Sequence, residues 1–112
     1  MILNPGEKLH VIQRRHFENE AHRHFVGVVE AYEGGIARVI GHVFTVDRTR
    51  LVFFKRPEVR TRLISIVSAE LLINIIPDAV NLDAIEYKQM GKELRVTDGS
   101  SWHLDISEKT WV

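Results

Sequence analysis

Four of the six histidines fall early in the chain, at His10, His16, His22 and His24, and two of these are spaced to act together. Residues i and i+2 of an extended strand share a face, so His22 and His24 would present both imidazoles to one side. Such a pair can hold a divalent metal, with Glu20 offering a carboxylate. A catalytic metal needs a third firm protein ligand, and the candidates by type, His10 or His42, would have to be brought in by the fold. Histidines in a polar stretch also serve as solvated or hydrogen-bonding groups. A metal-dependent enzyme built on His22 and His24 is therefore the least favoured function, and no cofactor is expected.

The arginines form a second constellation: Arg14-Arg15, Arg23-His24, Arg48-x-Arg50, Lys55-Arg56 and Arg60-x-Arg62. Guanidinium forks bind phosphate or carboxylate in bidentate fashion, so a convergence of these groups would make an anion site. The candidate residues for nucleic acid or another anion are Arg14, Arg15, Arg23, His24, Lys55, Arg56 and Arg60. Phe53-Phe54-Lys55-Arg56 interleaves aromatics with cations, as a base-stacking surface does. Two adjacent phenylalanines of a strand face opposite ways, which sends one of them to the core. Formal net charge is zero, so binding of polyanions by bulk charge is excluded as a sole mechanism. Residues 1–62 carry 11 Lys/Arg against 7 Asp/Glu, and residues 63–112 carry 4 against 8, a split of +4 and −4. This dipole suits either anion steering or subunits meeting head to tail.

Other chemistries are excluded by what the chain lacks. With no cysteine there is no disulfide, thiolate metal site or cysteine nucleophile. No Gly-x-Ser-x-Gly, His-Glu-x-x-His or phosphate-loop motif occurs, and Ser100 and Ser101 read as turn residues. The first residues lack the features of a signal peptide, and no apolar run approaches bilayer-spanning length, so a cytoplasmic protein without a membrane partner is expected.

The elements that must position these groups are strands. His24–Tyr32 and Ile36–Val46 are β-rich runs joined by Glu33-Gly34-Gly35, and paired glycines supply the positive φ of a tight hairpin. Both runs are apolar on both faces: Phe25, Val29 and Ala31 lie on one side of the first, and Val26, Val28 and Tyr32 on the other. Neither side suits water. Lys8–Arg14 reads as a short strand, and Arg15–Arg23 as a polar loop or one helical turn. Asp47–Arg50 reads as a turn, and Leu51–Phe54 as a strand closed by Pro57. Leu63–Val67 is expected as a core strand. Leu71–Ile76 is a strand or, capped by Ser68, a short helix. After Asn81–Ala84, a turn or a single helical turn, the residues Ile85, Tyr87, Leu94, Val96, Trp102, Leu104 and Ile106 point one way. Glu86, Lys88, Arg95, Thr97, His103 and Asp105 point the other, which makes a three-stranded meander with one dry face. Trp102 is expected to anchor that face and Trp111 to be terminal.

At 112 residues the chain suits one domain, with a barrel-like β core over 1–77 and the meander of 78–112 packed on it. Phe25-Val-Gly27-Val-Val29-Glu-Ala-Tyr32-Glu33 resembles the first half of the first motif of Sm-like proteins. The resemblance implies a strongly bent, SH3-like small barrel whose subunits join edge to edge into RNA-binding rings. Gly34-Gly35-Ile36 replaces the family's Met-Asn, and its Ile-Arg-Gly signature is absent, so no base-contacting asparagine carries over. The expected fold is all-β, a small strongly bent barrel or two-layer sheet with the C-terminal meander. The expected function is a non-catalytic homo-oligomeric module that binds RNA or another anion. The alternative is a purely structural assembly module in which Arg56 and Arg60 pair with a neighbour's acidic meander.

Overall fold

The computed structural model describes residues 2–13, 23–47 and 52–107. These fold into β1 (Lys8–Gln13), β2 (Arg23–Glu33), β3 (Ile36–Asp47), β4 (Val52–Lys55), β5 (Arg60–Ser65), β6 (Leu71–Ile76), β7 (Glu86–Met90), β8 (Glu93–Thr97) and β9 (His103–Asp105). A single turn of 3-10 helix, Leu82–Ala84, is capped by the Asn81 side chain, which accepts from the Asp83 amide. The predicted Arg15–Arg23 segment, apart from Arg23, and the turn after Asp47 lie outside the described residues, as does Trp111.

The β2–β3 hairpin is the frame of the fold. Glu33 lies opposite Ile36 across Gly34 and Gly35, whose φ values of 56° and 81° fit the two-residue turn that matches strand twist. Further along, Gly27 lies directly opposite Gly41. A Cβ on Gly27 would strike the Ile40 carbonyl, and one on Gly41 the Val26 carbonyl. The backbones can come this close, and the ribbon can bend, because both residues lack side chains.

The first sheet runs β4-β3-β2-β1-β6, and β5 pairs with β3 beyond the end of β4. Its curl follows from the connection between the outermost strands. Ser68 N donates to Ser65 O, and Leu71 N to Ser68 O, so two successive turns link β5 to β6. Each turn spans under about 7 Å. Four flat strand spacings would need roughly 19 Å. The sheet therefore bends its edges toward each other. Leu9, Val11, Phe25, Val29, Ala37, Val39 and Ile64 pack inside this curl, with Leu71 and Ile73 of β6 against them.

The outer face is covered by the second sheet, β7-β8-β9. Ile12, Val26, Phe44 and Ile76 of the first sheet pack with Ile85, Val96 and Ile106, and Tyr87, Leu94, Trp102 and Leu104 close around them. The dry face predicted for the meander is thus this interface, with Trp102 among its anchors. Lys8 Nζ pins the connection between the sheets by donating to the carbonyls of Asp78 and Val80, each at 2.6 Å. Much of both apolar sides of the β2–β3 ribbon is therefore covered from within the chain, one by curling and one by the meander, while Ile36 stays 48% exposed.

Three local expectations need correction. The strand expected at Leu63–Val67 lies at Arg60–Ser65, and Leu63 and Val67 are 69% and 81% exposed rather than core. A register shift between Val29 and Ala31 turns Tyr32 toward Val29, not toward Val26. Thr97, read as solvent-facing, is buried, and its hydroxyl donates to the Trp102 carbonyl at 2.7 Å. Leu71–Ile76 is a strand, which settles the choice left open between strand and helix.

Candidate functional site

Strand pairing sorts the cations onto two faces. Cross-strand partners share a face, so each arginine takes the side of the residue opposite it. Arg60 and Arg62 lie opposite Gly41 and Val39, and Ile64 lies opposite Ala37, which puts all three on the inner face. In β2, Arg23 lies between Gln13 and Thr45, and Phe25 between Val11 and Val43. The Arg56 amide donates to the Val43 carbonyl at 2.8 Å and extends this second row. These side chains surround one cavity of about 640 Å³ on the open side of the curl. Val11, Phe25, Val43, Ile64 and Leu71 form its floor, and Arg23, Arg56, Arg60 and Arg62 line it together with Glu58 and Glu70.

Four guanidinium groups against two carboxylates leave the cavity positive. The Arg62 Cζ sits 5.7 Å from the Phe25 ring centroid, a cation–π contact that steadies the fork above the floor. Among the described residues no carboxylate lies within ion-pair distance of Arg23, Arg56, Arg60 or Arg62. Such cations beside apolar walls attract and orient an anion more strongly than they would in open water.

The other face holds a different polar group. His10 and His24 are buried, and Tyr87 of the second sheet reaches between them. Its hydroxyl lies 3.0 Å from His10 Nε2 and 2.8 Å from His24 Nδ1, and Asn74 Nδ2 lies 3.5 Å from His10 Nδ1. A hydroxyl can donate to one ring nitrogen while accepting from the other, so a single Tyr87 proton orders both tautomers. Phe53 stacks on the Tyr87 ring at 4.4 Å. Burial lowers the His10 pKa to about 4 and pushes that of Tyr87 well above its usual value. Both groups are therefore neutral near pH 7, and the triad is a polar clasp between sheets.

The sequence candidates divide accordingly. Arg23, Arg56 and Arg60 meet at the cavity, where Arg62 joins them. The signal for Arg62 was present in its i, i+2 spacing from Arg60, which sets both on one face. Lys55 lies opposite Phe44, on the outer side. His24 is also among the residues lining the cavity, while its Nδ1 meets the Tyr87 hydroxyl inside the interface. Arg14, Arg15 and His22 lie outside the described residues. Among those described, no cluster of three or more His, Cys, Asp or Glu side chains is placed to hold a metal. The paired phenylalanines split as parity requires, Phe53 packing against the interface and Phe54 standing exposed. The clasp itself escaped sequence reading, although Tyr87 on a dry face and His10 between Leu9 and Val11 were its traces.

No family model, curated protein or solved structure matches this chain. Among the described residues no helix is long and apolar enough to cross a membrane.

Proposed function

We propose that this protein is a non-catalytic binding module that takes an anion into the open side of its curled sheet. The observation that supports this is the convergence of Arg23, Arg56, Arg60 and Arg62, from distant points of the chain, on one cavity with an apolar floor. Arginine remains charged in any protein environment and presents a rigid fork, so this grouping suits a phosphate or carboxylate. The two buried histidines lie behind the sheet and are engaged with Tyr87. Binding therefore accounts for the cavity better than acid–base chemistry does.

Inorganic phosphate titrated into ¹⁵N-labelled protein at low salt tests the reading through the arginine Nε–H resonances. Saturable shifts are expected at Arg23, Arg56, Arg60 and Arg62. They should weaken as sodium chloride is raised, and an Arg56→Gln/Arg60→Gln variant with an unchanged fold should lose them. Absence of any arginine shift up to tens of millimolar phosphate would defeat the proposal.

A further inference from the structure

We infer that the ligand of this cavity is a single-headed amphiphile, an aliphatic chain ending in one anionic group, with its head on the arginines and its chain along the floor. The inference rests on the anion-binding reading above and narrows it to a ligand class. Volume is the first reason. At the roughly 30 Å³ that each water takes in the liquid, 640 Å³ corresponds to about 20 waters, far more than a bare carboxylate or phosphate displaces. It also falls within the roughly 300–1,000 Å³ of pockets that enclose small organic molecules.

The chemistry of the floor is the second reason. Val11, Val43, Ile64 and Leu71 give the floor a continuous aliphatic surface, while the uncharged hydrogen-bonding side chains of the lining are Gln13, Thr45, Ser65 and Ser68. The aromatic ring of the floor, Phe25, already carries Arg62 over its face. A nucleobase could stack there only by displacing that guanidinium, which offsets part of what stacking gains. An alkyl chain needs only to cover the aliphatic surface.

Charge is the third. Among the described residues the four arginines exceed Glu58 and Glu70 by two formal charges, which one carboxylate head halves and one phosphate monoester head, at about −1.5 to −2, nearly cancels. A polynucleotide would bring further phosphates toward Glu58, where like charges repel.

The test is a chain-length series, acetate, octanoate and dodecanoate, titrated calorimetrically into the full chain at low salt and below micelle formation. Dodecanol, dodecyl phosphate and oligothymidylate complete the set. Affinity should rise about fourfold for each methylene that becomes buried, so dodecanoate should bind at least tens of times more tightly than octanoate. Dodecanol, without a charge, should bind at least about tenfold more weakly than dodecanoate. Arg60→Gln should weaken dodecanoate and leave dodecanol unchanged, while Val43→Thr should weaken dodecanoate and leave acetate unchanged. Whichever of dodecanoate and dodecyl phosphate binds more tightly identifies the head group. Equal affinity for acetate and dodecanoate would overturn the amphiphile while leaving an anion site in place. Tighter binding of oligothymidylate, weakened by Phe54→Ala, would overturn it in favour of nucleic acid. Failure of every anion, inorganic phosphate included, would remove both readings. The length series on the unaltered chain decides the matter even if the floor variant does not fold.

Discussion

The face of the first sheet that meets the meander buries two histidines and a tyrosine, whereas the opposite face carries four arginines around a cavity. The same strands build both, with the same alternation of apolar residues. The polar residues set between them differ in what burial costs. A histidine can enter a dry interface by giving up its proton, and His10 does so. An arginine has no accessible neutral form, and burying it unpaired costs several kcal/mol. The histidine face could be sealed by a second sheet. The arginine face had to stay open to water or to a counter-charge.

Acid breaks the sealed side first, and this is the largest effect expected. Unfolded His10 takes its proton near 6.5, and the folded group takes it near 4. A depressed folded pKa means that the unfolded state binds more protons between those values. The His10 contribution is therefore complete above pH 6.5 and is lost as pH falls through the window down to 4, to a total of about 3 kcal/mol. The facing groups are His24 of β2, Asn74 of β6 and Tyr87 of β7, and none is a carboxylate that would relieve this. Urea denaturation at about pH 7 and about pH 4.5 measures it. A midpoint that does not move would refute the clasp as described.

Tyr87→Phe separates the clasp's hydrogen bonds from its burial. The ring stays to stack on Phe53, but His10 and His24 lose the hydroxyl between them, at a cost of about 1–3 kcal/mol. Because desolvation and not Tyr87 lowers the His10 pKa, the acid window should persist in the variant. Phosphate shifts at the arginines should be unchanged, since that cavity lies across the sheet. Stability equal to that of the parent would show that the hydroxyl orders nothing.

Much of this contrast could be read from residues, and where it could not, the missing information was non-local. The Gly34-Gly35 turn, the meander's dry face and the opposed directions of Phe53 and Phe54 each depend on neighbours within a few positions. Those expectations agree with the structure. Leu63 and Val67 look like core by composition. Their exposure follows from the pairing of β5 with β3, which sets Arg62 opposite Val39 and turns Leu63 outward. A slip of one residue would exchange the faces, and nothing near Leu63 in the chain fixes that register. Tyr32 was misplaced for a related reason, since parity fails across the irregularity after Val29. Three of the four arginines that line the cavity, Arg23, Arg56 and Arg60, were candidates by sequence because arginines two apart or at strand ends recur in the first half. Which of the chain's cations share a face had to await the pairing.

The smallest predicted effect concerns Arg62, and it shows how loosely the open side is held. Its guanidinium lies over Phe25 while the side chain remains largely solvent-exposed. A cation–π contact in such a setting is worth about 0.5–1 kcal/mol. Arg62→Ala should lose about that amount, and Arg62→Lys should regain part of it, because an ammonium keeps the charge but not the flat stacking surface. A double-mutant cycle with Phe25→Leu isolates the pair, and the coupling should fall in the same range. A coupling of zero would mean that Arg62 only happens to lie over the ring. At the expected size, lifting Arg62 from Phe25 changes affinity by no more than about fivefold, so an incoming anion can recruit this arginine without disturbing the fold. Tyr87, fixed between two histidines on the sealed side, has no comparable freedom.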